Sequence, residues 1–297
     1  MRALLFIGMQ IAILLVVSIV GNVLMYLFGV QIDSTSYLGL LCMCAVYGCV
    51  GSAISLFMSK MMCKKAYRVR VIEVPRTQEE QFLVSTVTQL ASQAGFNTPE
   101  IGIYNSPDPN AFATGHNKNA ALVAVSSGLL NSMSREEIKG VLGHEISHIK
   151  NGDMVTMALL QGVLNTFVYF LSYIVASIAA NALRGNRDSS SSSSFSGTFM
   201  FYAINSLMQM LFGFAATIVL MWFSRWREFR ADAGSADLNG KECMIKALEA
   251  LKRGVQPQSN EGKASMQALC INGASNLSVL FMSHPPLDKR IEALRSR

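Results

Sequence analysis

Histidine is scarce in this chain, with four among 297 residues, and only 15% of the residues are Asp, Glu, Lys or Arg. The shortage of charge is uneven. Stretches near residues 3 to 30, 37 to 59, 154 to 180 and 199 to 224 are almost free of it, and each is long enough to cross a hydrocarbon core of about 30 Å. They hold essentially no ionisable residue, which argues against a divalent-metal transporter with ligands at bilayer depth. The six cysteines include no zinc-type C-x-x-C pair and read as small buried hydrophobes. No stacking aromatics alternate with the basic residues, so a net charge of +6 and a pI near 9.0 point to membrane topology and anionic lipid rather than nucleic acid. The first apolar stretch exceeds the 7–15 residues of a secretory h-region and is followed by a weak cleavage site, which makes it an uncleaved anchor.

The charges that are present orient the four stretches. Arg2 precedes the first, while Lys60, Lys64, Lys65, Arg68 and Arg70 follow the second, so residues 60 to about 153 are expected on the cytoplasmic side. The third and fourth then run out and back, returning Arg225, Arg227 and Arg230 to that side. Between them, 184 to 197 (RGNRDSSSSSSFSG) is polar and low in complexity, and reads as a mobile loop on the far side.

Two of the four histidines sit together, in His144-Glu145-Ile146-Ser147-His148. Ser134 and Glu137 form a capping box ahead of this run, and Ile138, Val141, Leu142, Ile146 and Ile149 make an apolar stripe at helical spacing. Positions four apart on a helix share a face, so both imidazoles can reach one zinc ion at about 2.0–2.1 Å. Glu145 beside them is placed to act as a general base on water activated by that ion. This is a zinc protease pattern.

The metzincin extension is missing, because Asn151 and Met154 stand where that pattern has Gly and His. A third ligand is then His116, His284 or a carboxylate from another helix, the best carboxylate being Glu228. Glu228 and Asp232 are one helical turn apart in Trp226-Arg227-Glu228-Phe229-Arg230-Ala231-Asp232, so one can bind metal while the other orients a ligating histidine. The out-and-back pair of apolar stretches separates Glu228 from the histidines and returns it to the same side.

The stretches PDPNAFATG (107 to 115), LVAVSSGLL (122 to 130), LGHEISHIKNGDMVTM (142 to 157), SRWREFRADAGSA (224 to 236) and FMSHPPLDKRIEAL (281 to 294) closely resemble the HtpX family of bacterial membrane metalloproteases, relatives of the CAAX prenyl proteases. The resemblance spans essentially the whole chain. It implies one Zn2+ per chain on His144, His148 and Glu228, with Glu145 as general base. It also implies a multi-pass inner-membrane endopeptidase that cuts misfolded membrane proteins or unfolded polypeptides on the cytoplasmic side in protein quality control and stress response. In the tail, Arg290 is expected to pair with Asp232, and His284 to stabilise the developing oxyanion. The likeness further gives Asn110, Ala111 and Phe112 the role of a sheet edge that binds the substrate, where the residues alone fit a plain hairpin equally well.

The expected fold class is α+β: a four-helix transmembrane part and a cytoplasmic gluzincin-like zinc protease domain, a small sheet packed on helices. The expected division is a membrane hairpin at 1–60, protease domain at 61–153, a second membrane hairpin at 154–224 and the rest of the protease domain at 225–297. Val69 to Val74, Ile101 to Tyr104, Ala111 to Thr114 and Ala121 to Ser126 read as strands, the last two as a hairpin. A helix opens at the capping box Thr77 and Glu80 and closes at Gly95, an amphipathic helix spans 238 to 253, and 254 to 265 is a candidate lid. A catalytically silent membrane scaffold is the alternative function, and self-association stays open.

Overall fold

The computed structural model describes residues 19, 23, 36–184, 193–254 and 284–297. Apart from positions 19 and 23, the first apolar stretch lies outside them, as do residues 185 to 192 of the polyserine segment and 255 to 265 of the candidate lid. The elements run α1 (Tyr37–Ala66), β1 (Arg70–Val71), α2 (Gln78–Ala94), β2 (Glu100–Tyr104), β3 (Ala111–Thr114), a 3-10 turn, β4 (Leu122–Ser126), α3 (Ser127–Ser132), α4 (Arg135–Asn151), α5 (Asp153–Arg184), α6 (Ser193–Asn239), α7 (Lys241–Gly254) and α8 (Leu287–Arg295). They form two compact units, Met1–Ser55 with Ala158–Leu220 and Leu56–Met157 with Met221–Arg297.

Among the described residues three helices, α1, α5 and α6, are long and apolar enough to cross a membrane. In the first unit α1 buries Leu40, Cys44, Gly48 and Ser52, every fourth residue. That stripe of small side chains lets α5 come close, since a Cβ on Gly48 would lie 2.7 Å from the carbonyl oxygen of Gly162.

The second unit holds a four-stranded mixed sheet in the order β1-β2-β4-β3. β2 and β4 are parallel, while β1 and β3 run antiparallel to their neighbours at the two ends. Inward side chains of the strands meet Leu83, Val87 and Leu90 of α2 and Val141, Leu142, Ile146 and Ile149 of α4 in one core. Both expected helix starts are present: Thr77 accepts from the Glu80 amide, and Ser134 and Glu137 close a reciprocal capping box. β3 and β4 form the expected antiparallel pair.

Three boundaries differ from expectation. The first strand is only two residues long. Helix α6 starts at Ser193, inside the segment expected as loop, because each further helical turn ahead of an apolar run pairs backbone groups that would otherwise be bare. The helix expected from 238 is divided at Gly240, whose φ of 87° ends α6 and lets α7 begin at Lys241.

Glycine also sets how closely α4 meets its neighbours. A Cβ on Gly140 would lie 2.6 Å from the backbone oxygen of Cys243 in α7, and one on Gly143 2.6 Å from Ser235 Oγ in α6. Ser235 Oγ donates to the Gly140 carbonyl at 2.8 Å and Asn239 Nδ2 to that of Lys139 at 2.8 Å, tying the end of α6 to α4. Because a backbone atom cannot rotate away, Gly140→Ala should cost about 1–3 kcal/mol of stability by overpacking. It should appear as a lower Tm of the detergent-solubilised protein, and an unchanged Tm would show that α4 and α7 can separate freely.

Candidate metal centre

The α4–α6 crossing brings two i, i+4 pairs face to face. His144 and His148 meet edge to face, with ring centroids 4.6 Å apart and Nε2 atoms 3.1 Å apart. Glu228 reaches across from α6, with Oε2 3.4 Å from His144 Nε2 and Oε1 3.3 Å from His148 Nε2. One donor atom from each residue lies within 4.8 Å of the others, and Glu228 Oε1 is buried without a hydrogen-bond partner among the described residues.

The other side of each ring fixes its tautomer. His144 Nδ1 lies 2.9 Å from Asp232 Oδ1, and His148 Nδ1 2.5 Å from Asp153 Oδ2. An ionised carboxylate only accepts, so each Nδ1 carries a proton, and a ring that gives up its other proton turns an Nε2 lone pair toward Glu228. With both rings neutral, three acceptors converge with no donor between them. Such a donor set fits a zinc ion, and the carboxylates behind the imidazoles fix ring orientation and raise ligand basicity.

Asp153 was not singled out from the sequence. It is the first residue of α5, directly after Gly152, which ends α4 in the left-handed conformation at φ 69°. The signal available was an acid immediately beyond the C-cap of the motif helix, where it folds back over the last turn.

Arg290 on α8 forks onto Asp232, with Nε at 2.8 Å from Oδ2 and a terminal nitrogen at 2.6 Å from Oδ1. It also lies 3.6 Å from Glu228 Oε2. His284 Nδ1 is 2.7 Å from Glu228 Oε2, with its side chain 61% exposed. Glu145 is buried beside the histidines, and its carboxylate makes no hydrogen bond to another described residue. Ala111 and Phe112 belong to β3, the terminal strand packed against α4, and Asn110 directly precedes it. His116 lies apart from the cluster, its ring on Phe57 at 5.0 Å.

The electrostatics follow from burial opposed by pairing. Burial pushes the two imidazoles toward neutrality, but the facing carboxylates outweigh it: His144 is raised through Asp232 and Glu228, and His148 reaches about 9 through Asp153 and Glu228. Burial raises Glu228 and Asp232, yet His144, His148 and His284 hold Glu228 well below the usual carboxylate range, and Arg290 and His144 lower Asp232.

The profile of Peptidase family M48 matches residues 77–297. The chain belongs to this family. It is 53% identical over 294 residues to "Protease HtpX" of Tolumonas auensis, covering 99% of this chain and 98% of that one. It is 52% identical over 283 residues to "Protease HtpX" of Klebsiella pneumoniae, covering 95% of each. Among solved structures it resembles S. mikatae Ste24p, with a TM-score of 0.62 at 22% identity, covering 98% of this chain and 67% of the other. That likeness concerns the fold. In this M48 metallopeptidase the buried His-His-Glu cluster is a donor set that suits a zinc ion.

Three outcomes follow. Asp153→Asn removes the carboxylate behind His148 and should weaken zinc binding roughly 10–100-fold in a chelator competition. Zinc must displace the proton that Asp153 and Glu228 keep on metal-free His148 up to about pH 9, so its affinity should fall as pH drops below that value. In the metal-free protein the sign reverses. A raised histidine stabilises fully below its unfolded pKa and loses that contribution as pH climbs through about 9, so the apo Tm should decline from pH 7 to 10.

Proposed function

We propose that this protein is an endopeptidase of the bacterial inner membrane that cleaves misfolded or damaged membrane proteins and unfolded polypeptides on the cytoplasmic side, with one zinc per chain on His144, His148 and Glu228. The observation that carries the reading is the buried Glu228 Oε1, left without a hydrogen bond while two imidazole nitrogens face the same carboxylate.

The ion, when bound, supplies Lewis acidity that lowers the pKa of a water molecule to about 7. Glu145 accepts that water's proton and returns it to the departing amine nitrogen, a role open to a buried carboxylate not engaged elsewhere among the described residues. His284, held to Glu228 Oε2 through Nδ1 and otherwise largely exposed, offers its Nε2 to the oxyanion. Arg290 holds Asp232, and through it the His144 ring, in position.

β3 has one unpaired edge in the described sheet and lies against α4, so an extended peptide adding there runs beside His144 and His148. Asn110, Ala111 and Phe112 are its docking residues. The membrane assignment rests on the three apolar helices and on the cations next to them in the chain: Lys60, Lys64, Lys65, Arg68 and Arg70 after α1's apolar stretch, and Arg225, Arg227 and Arg230 after that of α6. We extend this to an anchor hairpin at 1–60, a second at 154–224, and protease segments at 61–153 and 225–297.

The deciding experiment compares casein cleavage and bound zinc in the detergent-solubilised protein and three variants. Glu145→Gln should lose activity by 10²–10⁴-fold, the usual weight of a general base, with zinc retained. Glu228→Ala should fall well below one zinc per chain while His284→Ala keeps its metal. Zinc-loaded wild type no more active than Glu145→Gln would replace the protease reading with that of a silent scaffold.

A further inference from the structure

The sheet has a second face, turned away from α2 and α4. Inward-pointing Ala111 and Ala113 join the core, so strand alternation puts Phe112 on the opposite side. The register places Phe112 across from Ala124, and Ala124 across from Gly102, while Tyr104 pairs with Ser126. Phe112, Ala124, Gly102, Ser126 and Tyr104 therefore share this face. Beyond Leu122, β4 carries only the small side chains of Ala124 and Ser126 there, and the large rings from β2 and β3 lean together over these two, with centroids 5.6 Å apart.

A third ring joins them from outside the sheet. After α1, Arg68 takes a left-handed φ of 51°, which turns the chain back so that Val69 lies on Gly102. Tyr67 is thereby set 5.1 Å from Phe112 and 5.3 Å from Tyr104. The trio is not sealed. Tyr104 is 3% exposed, Phe112 is only half-buried and Tyr67 is 51% exposed.

The phenol of Tyr104 is the part packing does not explain. Among the described residues its hydroxyl is buried without a hydrogen-bond partner of acceptable geometry, although the Asn110 and Ser126 side chains lie near it. Ser126 Oγ is already committed, donating to the Asp108 carbonyl and accepting from the Asn110 and Leu129 amides. Leaving a buried hydroxyl unpaired costs stability, and phenylalanine would fill the same space without that cost. Burial, then the neighbouring Tyr67 and Glu145, push this phenol's pKa up, which places the ring within electrostatic reach of the proposed general base.

We propose that Tyr67, Tyr104 and Phe112 form a specificity subsite that selects an aromatic or large apolar side chain at one fixed position next to the cleaved bond. The proposal rests on the endopeptidase reading above. A peptide adding to the free edge of β3 sends alternate side chains to the two faces, and the residue opposite Phe112 lands within about 4.5–5.5 Å, Cβ to Cβ. It meets a ring platform there, offset or edge-on contacts with aromatics being favoured, and a free hydroxyl at its floor. A charged side chain at that position is desolvated with no partner and is rejected.

The test uses the full zinc-loaded chain in detergent and internally quenched peptides that differ at a single position, scanned through Ala, Leu, Phe and Asp on both sides of the cleaved bond. Wild type should prefer Phe over Ala at one position by roughly tenfold or more in kcat/KM, the range that apolar pockets give. Phe112→Ala should bring that ratio toward one, and Tyr67→Ala, at a half-exposed position, should lower it in part, with bound zinc unchanged in both. A ratio that survives both variants, or a uniform loss on every peptide with the ratio intact, overturns the subsite while leaving the protease reading standing. Wild type that cleaves none of the peptides overturns the protease reading and the subsite with it.

Discussion

Buried negative charge in need of a cation is the constraint that organises this molecule. Glu145, Asp153, Glu228 and Asp232 are all buried, and the one permanently charged cation buried among them is Arg290. Four carboxylates against one guanidinium is not a tolerable balance in a low-dielectric interior. Two imidazolium ions offset most of the excess in the metal-free protein, which is why both histidines are raised; a divalent ion offsets as much with the rings neutral. The architecture keeps these groups from moving apart to water. The capping box fixes where α4 begins, close glycine contacts hold α6 and α7 on it, Gly152 returns Asp153 to the last turn of α4, and α8 brings Arg290.

Two of these acids, Asp232 and Asp153, also have a second anchor, which makes the cluster rigid rather than merely crowded. Asp232 holds His144 and Arg290 together, and Asp153 sits at the first turn of α5, where the helix dipole favours a negative charge. Glu228 has no such second partner for Oε1. The asymmetry separates a carboxylate that orients from one available to bind, although the two belong to the same i, i+4 pair of one helix.

The part of this legible in the sequence was the part carried by local pattern. The spacing of His144 and His148, the capping residues Ser134 and Glu137, and the Glu228–Asp232 turn each announce themselves within five residues, and β3 and β4 read directly as a hairpin. Asp153 was invisible because its meaning depends on a reversal at Gly152 that spacing alone does not disclose. The start of α6 at Ser193 and its run to Asn239 were missed because serine and mixed polar residues continue a helix as readily as they end one. The aromatic trio lay further out of reach: Tyr67, Tyr104 and Phe112 belong to different elements, and only the strand register puts them on one face.

The same geometry bears on which chains such a site accepts. In the docking proposed above, β3 offers four residues of strand and one edge unpaired among the described residues, so its attraction for a substrate is mainly a short ladder of main-chain hydrogen bonds. Only a segment that can become fully extended makes that ladder, and a residue already in a helix or an inner strand has its amide and carbonyl engaged. Backbone pairing therefore discriminates by foldedness and is nearly blind to sequence. An aromatic platform on the same strand adds the missing half of the selection, because the side chains it favours are those that folded proteins bury. A polypeptide both unpaired in its backbone and exposing large apolar side chains is a damaged one, so the edge strand and the rings beside it converge on the substrate class proposed for this protease.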